Sequence, residues 1–359
     1  MKIFVYAISK NEAKFAERWA KSMSEADGII VLDTGSTDDT VEILKRNGAF
    51  VTVKKIEPWR FDTARNLSLE LVPSNADICV CTDLDEVFES GWRQKLENAW
   101  TSETNQARYN YIWSHDGDKN GICFYGEKIH ARDGFKWVNP VHEVLSYENG
   151  TPKAVTINDL TLHHYPDNNK SRESYLPLLE LAVKEDPKND RNMHYLGREY
   201  MFRGKPQKAI ETLRRHLSLP SAVWDEERAS SMRYIARCYR QTGKIKEAER
   251  WYLRAICEAP SCRESAVEYA TFLFHNKNYH GVIFILNATL SNSVYTQSYI
   301  TEPACWGALP HDLLSLAYYH LGDYASAIEQ SKIAVSLSDE QRLKNNLKFF
   351  EKLMINNES

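Results

Sequence analysis

A chain of 359 residues, 43% hydrophobic with a net charge of −4, holds apolar material for two cores and excludes several classes of function. Its 45 basic and 49 acidic side chains form no basic stripe interleaved with aromatics, which argues against a nucleic-acid partner. No apolar run is long enough to cross a bilayer, the N-terminus opens on a strand pattern without a signal peptide, and the seven cysteines lack metal-type spacing, so a reducing, cytoplasmic setting is expected.

The first predicted strand, Lys2 to Ile8, ends in Ser9-Lys10-Asn11-Glu12 and leads into an amphipathic helix. A second, Gly28 to Leu32, runs into Asp33-Thr34-Gly35-Ser36-Thr37-Asp38-Asp39-Thr40, after which Val41, Ile43 and Leu44 resume helical spacing. Thr37 or Asp38 can cap that helix, which leaves Asp33 free at the strand end to accept bonds from a ribose or a base. A third strand, Ala49 to Val53, precedes Trp59-Arg60-Phe61-Asp62-Thr63-Ala64-Arg65-Asn66 and another helix. The fourth, Ile78 to Cys81, has the unbroken apolar character of a strand buried on both faces, where Cys79 and Cys81 act as small apolar residues. Asp83 and Asp85 follow at its end, two residues apart and so pointing the same way. Paired carboxylates suit Mg²⁺ or Mn²⁺, hard cations that keep waters and are completed by substrate phosphates; the competing reading is a solvated acidic turn. Strands alternating with helices, with polar residues at the strand ends, predict an open α/β sheet whose ligand lies beyond its carboxyl edge.

Further on, Lys136-Trp137-Val138-Asn139-Pro140-Val141-His142-Glu143-Val144-Leu145 places an acid beside a histidine in an apolar setting. Glu143 is a candidate general base, with a structural His142–Glu143 pair as the competing reading and Asp116 and Asp118 as fallback bases. Leu160-Thr161-Leu162-His163-His164-Tyr165-Pro166 closes the region with adjacent histidines, of which only one can face a metal, because neighbouring strand residues point opposite ways. After Pro166 to Lys170 strand-like runs vanish and helices follow with a repeat of about 34 residues. Leu196-Gly197, Tyr200, Ala209 and Leu213 recur as Ile235-Ala236, Tyr239, Ala248 and Tyr252, weakly as Ala270, Leu273 and Leu286, and again as Tyr318, Ala327 and Ala334. Gly204, Gly243 and Gly322 fit the turns, Ser291 to Gly307 reads as an insertion, and the terminal helix with Phe349, Phe350 and Leu353 should cap the stack or meet a partner. The expected domains are residues 1–167 and 168–359.

The order S-K-N-E, D-T-G-S-T-D-D-T, F-D-T-A-R-N and D-L-D-E resembles a family 2 glycosyltransferase over about residues 1 to 165. The resemblance implies a GT-A (Rossmann-like) nucleotide-sugar domain, and the helical half resembles tetratricopeptide repeats. It implies that Asp33 reads the base or ribose of a UDP-sugar, that Glu12 and Arg65 line the nucleotide, and that Asp83 holds the ribose while Asp85 carries the metal. Arg65 would neutralise phosphate bidentately, against the alternative of an ion pair with Asp62 or Glu70 on its own helix. Similar enzymes often carry a late histidine as a further ligand, here His163 with His164 close behind, and a W…V-H-E element that makes Glu143 the base of an inverting transfer. The acceptor is expected to be a peptide or protein, as in bacterial peptide S-glycosyltransferases of similar architecture, or a glycan, as in lipopolysaccharide-core glucosyltransferases, where the repeats would serve to dimerise the chain. A catalytically silent repeat scaffold is the other class of function, against which Asp83, Asp85, Glu143 and His163 together argue. Loops around Trp113 to Gly121 are expected to choose the sugar.

Overall fold

The computed structural model describes residues 1–116, 119–167 and 173–357, which fall into two compact units. The first comprises Met1–Glu185 with Gln297–Tyr299, and the second Asp186–Thr296 with Ile300–Ser359. The expected boundary at 167/168 abuts residues outside the described set, and the first unit runs on to Glu185.

The first unit opens with β1 (Ile3–Ser9), α1 (Ala13–Ser22), β2 (Gly28–Asp33), α2 (Thr40–Arg46), β3 (Phe50–Val53), α3 (Phe61–Glu70) and β4 (Ile78–Cys81). It continues with β5 (Glu86–Phe88), α4 (Trp92–Ala99), β6 (Gln106–Ile112), the short β7 (His115–Asp116) and β8 (Lys119–Asn120), and β9 (Cys123–Ala131). The unit closes with β10 (Phe135–Val138), β11 (Val144–Tyr147), β12 (Ala154–His164) and α5 (Tyr175–Glu185). Among the described residues an eight-stranded sheet forms in the order β3-β2-β1-β4-β9-β6-β12-β5. Its first four strands are parallel, as alternating strand and helix require, so Ser9, Asp33 and the residues after Cys81 meet at one edge. β9 runs antiparallel to β4 and β6, and β12 returns parallel to β6. Every residue of β4 is buried, because apolar layers cover both faces. Trp19, Trp92, Ile78 and Val80 belong to one layer, and Tyr6, Cys79, Cys81 and Trp137 to the other.

One irregularity matters for the site. Ile157 of β12 pairs with Tyr109 and Thr161 with the next residue, Asn110, so residues 158–160 bulge out of the ladder.

The second unit stacks α6 (Asp190–Phe202) on α7 (Pro206–Ser218), α8 (Asp225–Gln241) on α9 (Ile245–Glu258) and α10 (Arg263–His275) on α11 (Tyr279–Asn292). The short α12 (Pro303–Trp306) sits in the expected insertion, followed by the pair α13 (Leu309–His320) and α14 (Tyr324–Leu337) and by α15 (Gln341–Asn357). Gly204, Gly243 and Gly322 adopt left-handed φ values of 65°, 73° and 80° in three of the inter-helix turns. In the third pair, where the landmarks fade, Lys277 takes the same conformation at φ 59°. Phe350 is buried and stacks on Tyr319 at 5.2 Å, while Phe349 is exposed.

Polar groups also lie inside this unit. Ser231 links His194 Nδ1 at 2.7 Å to His216 Nδ1 at 3.0 Å, and His216 Nε2 meets Glu227 at 3.2 Å, joining α6, α7 and α8. Arg233 donates to Glu302 at 2.6 Å, and Arg237 grips Glu268 through two bonds of 2.7 Å. No described helix is long and apolar enough to cross a membrane.

Candidate functional site

At the carboxyl edge of the parallel strands, the first two sequence motifs are laced into one another. Asn11, in a left-handed conformation at φ 54°, donates its N–H to Ser36 Oγ, and its side-chain oxygen accepts from Thr37 N, both at 2.8 Å. Glu12, at the head of α1, is buried and donates its backbone N–H to Thr40 Oγ1 at 2.8 Å. Asp38 receives Thr40 N at 3.1 Å, but the residue at the cap of α2 is Asp39, whose side chain makes no capping bond, rather than Thr37 or Asp38.

Asp33 departs from expectation. It is fully buried, and its carboxylate accepts from Ser9 Oγ at 2.8 Å, Gly35 N at 3.0 Å, Ser36 N at 2.8 Å and Ser36 Oγ at 2.5 Å. The turn after β2 closes over the carboxylate, so Asp33 is not free for a ligand but shapes the loop that a ligand would meet.

Past β4, a chain of alternating charges crosses the site. Arg65 on α3 donates from Nε to Glu143 Oε1 at 2.6 Å and from NH2 to Asp83 Oδ1 at 2.7 Å, and it lies 5.1 Å from the centre of the Trp137 ring. Asp83 Oδ2 in turn receives Lys128 Nζ at 3.1 Å, and Lys128 reaches Glu86 Oε1 at 2.9 Å. Arg65 is buried, and its partners are not the same-helix acids Asp62 and Glu70. Burial alone would raise the Asp83 carboxyl, but Arg65 and Lys128 hold it well below the usual carboxylate range. Glu86 is fully buried and its carboxyl is raised by that burial, with Lys128 pulling the other way.

Glu143 follows a tight passage in which Asn139 and His142 have φ values of 80° and 51°. Non-glycine residues in this region carry strain that persists only where the surroundings enforce it. Part of that enforcement is visible: Phe61 N at the start of α3 donates to Pro140 O at 3.0 Å, and Asn66 bonds both the N–H and the carbonyl of Trp137 at 2.8 and 2.9 Å. Glu143 is thereby set against Arg65 rather than paired with its neighbour His142.

The histidine expectation needs correction. His164, not His163, faces Asp85, with Nε2 3.4 Å from Oδ2. His163 turns away, its Nε2 3.1 Å from the half-exposed Glu89 and its ring stacked on His115 at 5.4 Å. The two adjacent side chains obey strand alternation, and the odd number of residues in the 158–160 bulge decides which one looks inward. His164 Nδ1 lies 2.9 Å from the Trp113 carbonyl oxygen and its ring stacks on the indole at 4.4 Å. A carbonyl only accepts, so Nδ1 carries the proton and Nε2 is the nitrogen presented to Asp85. Burial would lower the His164 pKa, but Asp85 and the Trp113 carbonyl raise it above the ordinary value.

Either a proton on Nε2 or a divalent cation can join this nitrogen to the Asp85 oxygen. Two atoms bound to one divalent ion at about 2.1 Å lie roughly 3 to 3.5 Å apart, which the Asp85–His164 spacing meets. These two residues therefore fit a metal, whereas both Asp83 oxygens already accept from cationic side chains. The fallback base Asp118 and the Asp116 side chain lie outside the described residues. Sequence reasoning had no signal for Lys128, Glu86 or Tyr111 in these roles, whose partners come from separate strands.

Residues 5–140 match the family Glycosyl transferase family 2, and residues 234–264 match a tetratricopeptide repeat. An uncharacterized glycosyltransferase of Rickettsia bellii is 37% identical over 109 residues, covering 30% of this chain and 35% of the relative. The SPbeta prophage-derived glycosyltransferase SunS of Bacillus subtilis is 26% identical over 233 residues, covering 58% of this chain and 51% of SunS. The chain thus spans between about a third and a half of the length of these curated relatives. The crystal structure of MamA superposes with a TM-score of 0.38 at 19% identity, over 50% of this chain and 99% of that one. The α/β unit thus matches glycosyltransferase family 2 over residues 5–140, and the helical half contains a stretch that matches a tetratricopeptide repeat.

Proposed function

We propose that the protein is a metal-dependent, inverting glycosyltransferase that moves a sugar from a UDP-sugar to a peptide, protein or glycan acceptor. The observation that carries this reading is the Asp85–His164 pair, with His164 oriented by the Trp113 carbonyl so that two ligand atoms converge 3.4 Å apart at the strand ends. When bound there, Mn²⁺ or Mg²⁺ supplies charge neutralisation for the departing diphosphate.

The remaining steps fall to the chain itself. The loop 34–38, braced from inside by Asp33 and from outside by Asn11, offers a fixed wall for the base and ribose, with Glu12 at its flank. Arg65 fixes Glu143 through Oε1, which leaves Oε2 to take the proton from an acceptor hydroxyl or thiol as it attacks. The same guanidinium aims Asp83 at the donor, so base and donor are held by one rigid group. The helical repeats would present the acceptor.

Calorimetry with UDP tests the reading. Binding in Mn²⁺ that EDTA removes, and that GDP does not reproduce, is the expected result; no binding of either nucleotide under any condition would sink it.

A further inference from the structure

Lys128 is the best-defined charged group at the strand ends to which the sequence motifs give no role. It stands on β9, whose register sets Ile129 opposite Val80, and so beside the end of β4. Its ammonium donates to Asp83 Oδ2 at 3.1 Å and to Glu86 Oε1 at 2.9 Å. Glu86 cannot turn outward to a ligand: it is fully buried, Tyr111 OH donates to its Oε1 at 2.6 Å, and Asp83 N donates to its Oε2 at 2.8 Å. Glu86 therefore acts as an anchor for the lysine. The Lys128 side chain is itself 26% exposed, and an ammonium has three N–H donors, of which these carboxylates use two. The third has no carboxylate partner among these, although the ammonium also lies 5.7 Å from the centre of the Tyr111 ring, and Asp83 beside it is 34% exposed. Pairing with the buried Glu86 accounts for the lysine's anchorage, while its partly exposed head beside Asp83 leaves it room to meet a ligand as well.

We propose that Lys128 is a second, fixed cation of the donor site, donating its remaining N–H to a terminal phosphate oxygen of the nucleoside diphosphate. This rests on the donor reading above and adds a charge that stays in place with or without a metal. Glu86 and Tyr111 are positioning residues that act through it.

The 359-residue chain in Mn²⁺ is titrated with UDP and with UMP, which lacks the terminal phosphate, for the natural chain, Lys128→Met and Lys128→Arg. The expected result is UDP binding weakened roughly 10- to 100-fold by Lys128→Met, UMP binding unchanged within about twofold, and UDP affinity largely recovered in Lys128→Arg. Equal losses for UDP and UMP would overturn the proposal, since they would mean that Lys128 acts only by shaping Asp83; unchanged UDP binding would overturn it as well. If the natural chain binds neither nucleotide, the donor reading fails first and takes this inference with it, a pattern distinct from the other two. Removing the lysine strands a buried acid, so the paired variant Glu86→Gln with Lys128→Met is measured in parallel and should show the same split between UDP and UMP.

Discussion

Both units bury charge, yet they use it differently. In the helical unit, Arg233, Arg237, Glu268 and the His194–Ser231–His216–Glu227 series bind helix to helix, and each carboxylate there meets a protein donor. In the α/β unit the charged groups gather at strand ends, Asp83 and Lys128 are partly open to solvent, and Asp85 and His164 bring two ligand atoms within 3.4 Å of each other. Charge locked between helices serves the interior, while charge with coordination left over at an open edge marks a site.

Substitutions can test that distinction, starting with the largest effect. Asp85→Ala or His164→Ala should lower transfer by about a thousandfold or more and abolish Mn²⁺-dependent UDP binding, whereas His163→Ala should change UDP affinity by less than about threefold. A large effect at His163 with none at His164 would make His163 the ligand instead. Glu143→Gln should bind UDP as the natural chain does and lose roughly 10²- to 10⁴-fold in turnover; normal turnover would remove it as the base.

Arg65→Met and Arg233→Met set the two units against each other. Arg65→Met takes a cation from Glu143 and from Asp83, which keeps Lys128, and Arg233→Met takes one from Glu268, which keeps Arg237, and from the half-exposed Glu302, so each should cost about 1 to 3 kcal/mol in denaturant unfolding. Only Arg65→Met should also weaken UDP binding, measured on protein that remains folded; a comparable loss of UDP affinity from Arg233→Met would erase the contrast between structural and functional charge.

Acid should act on both units alike. Burial lowers His130 in the α/β unit to about 4 and His194 in the helical unit to about 3. The unfolded chain takes up these protons near pH 6.5, as model histidines do, and the folded chain only near 3 to 4. Their contribution is complete above about pH 6.5 and is lost as pH falls toward 4, at about 1.4 kcal/mol per pH unit for each histidine. Denaturant unfolding at about pH 7 and about pH 5 checks this, and a stability that rises on acidification would contradict it. The smallest effect is expected at Lys277→Gly, where relief of a left-handed backbone should stabilise the helical unit by about 1 kcal/mol.

Much of the α/β architecture was legible because its signals are local. Strand ends such as Asp33 and Cys81, the turn after β2 and the apolar run of β4 follow from short-range pattern. The helical repeats were legible from their period, and even their irregular third copy has a structural counterpart in Lys277. The site was legible only in part. Arg65, Asp83 and Glu143 were singled out from their motifs, but the chain that connects them runs between residues up to 78 positions apart, and no local pattern carries such a contact. Asp33 misled because a strand-end acid reads alike whether it faces a ligand or its own turn. Lys128 gave no signal, since a single lysine in a strand is ordinary.

The bulge at residues 158–160 works as a phase setting for everything after it. If the rest of β12 slid by one place, an inserted residue there would carry His163 into the position of His164, whereas a deletion would bring Tyr165 there instead. The chemistry of the edge is thus chosen by the count of residues in a loop that touches none of its charges, and chains that share the His-His-Tyr sequence but differ in that count need not share a ligand.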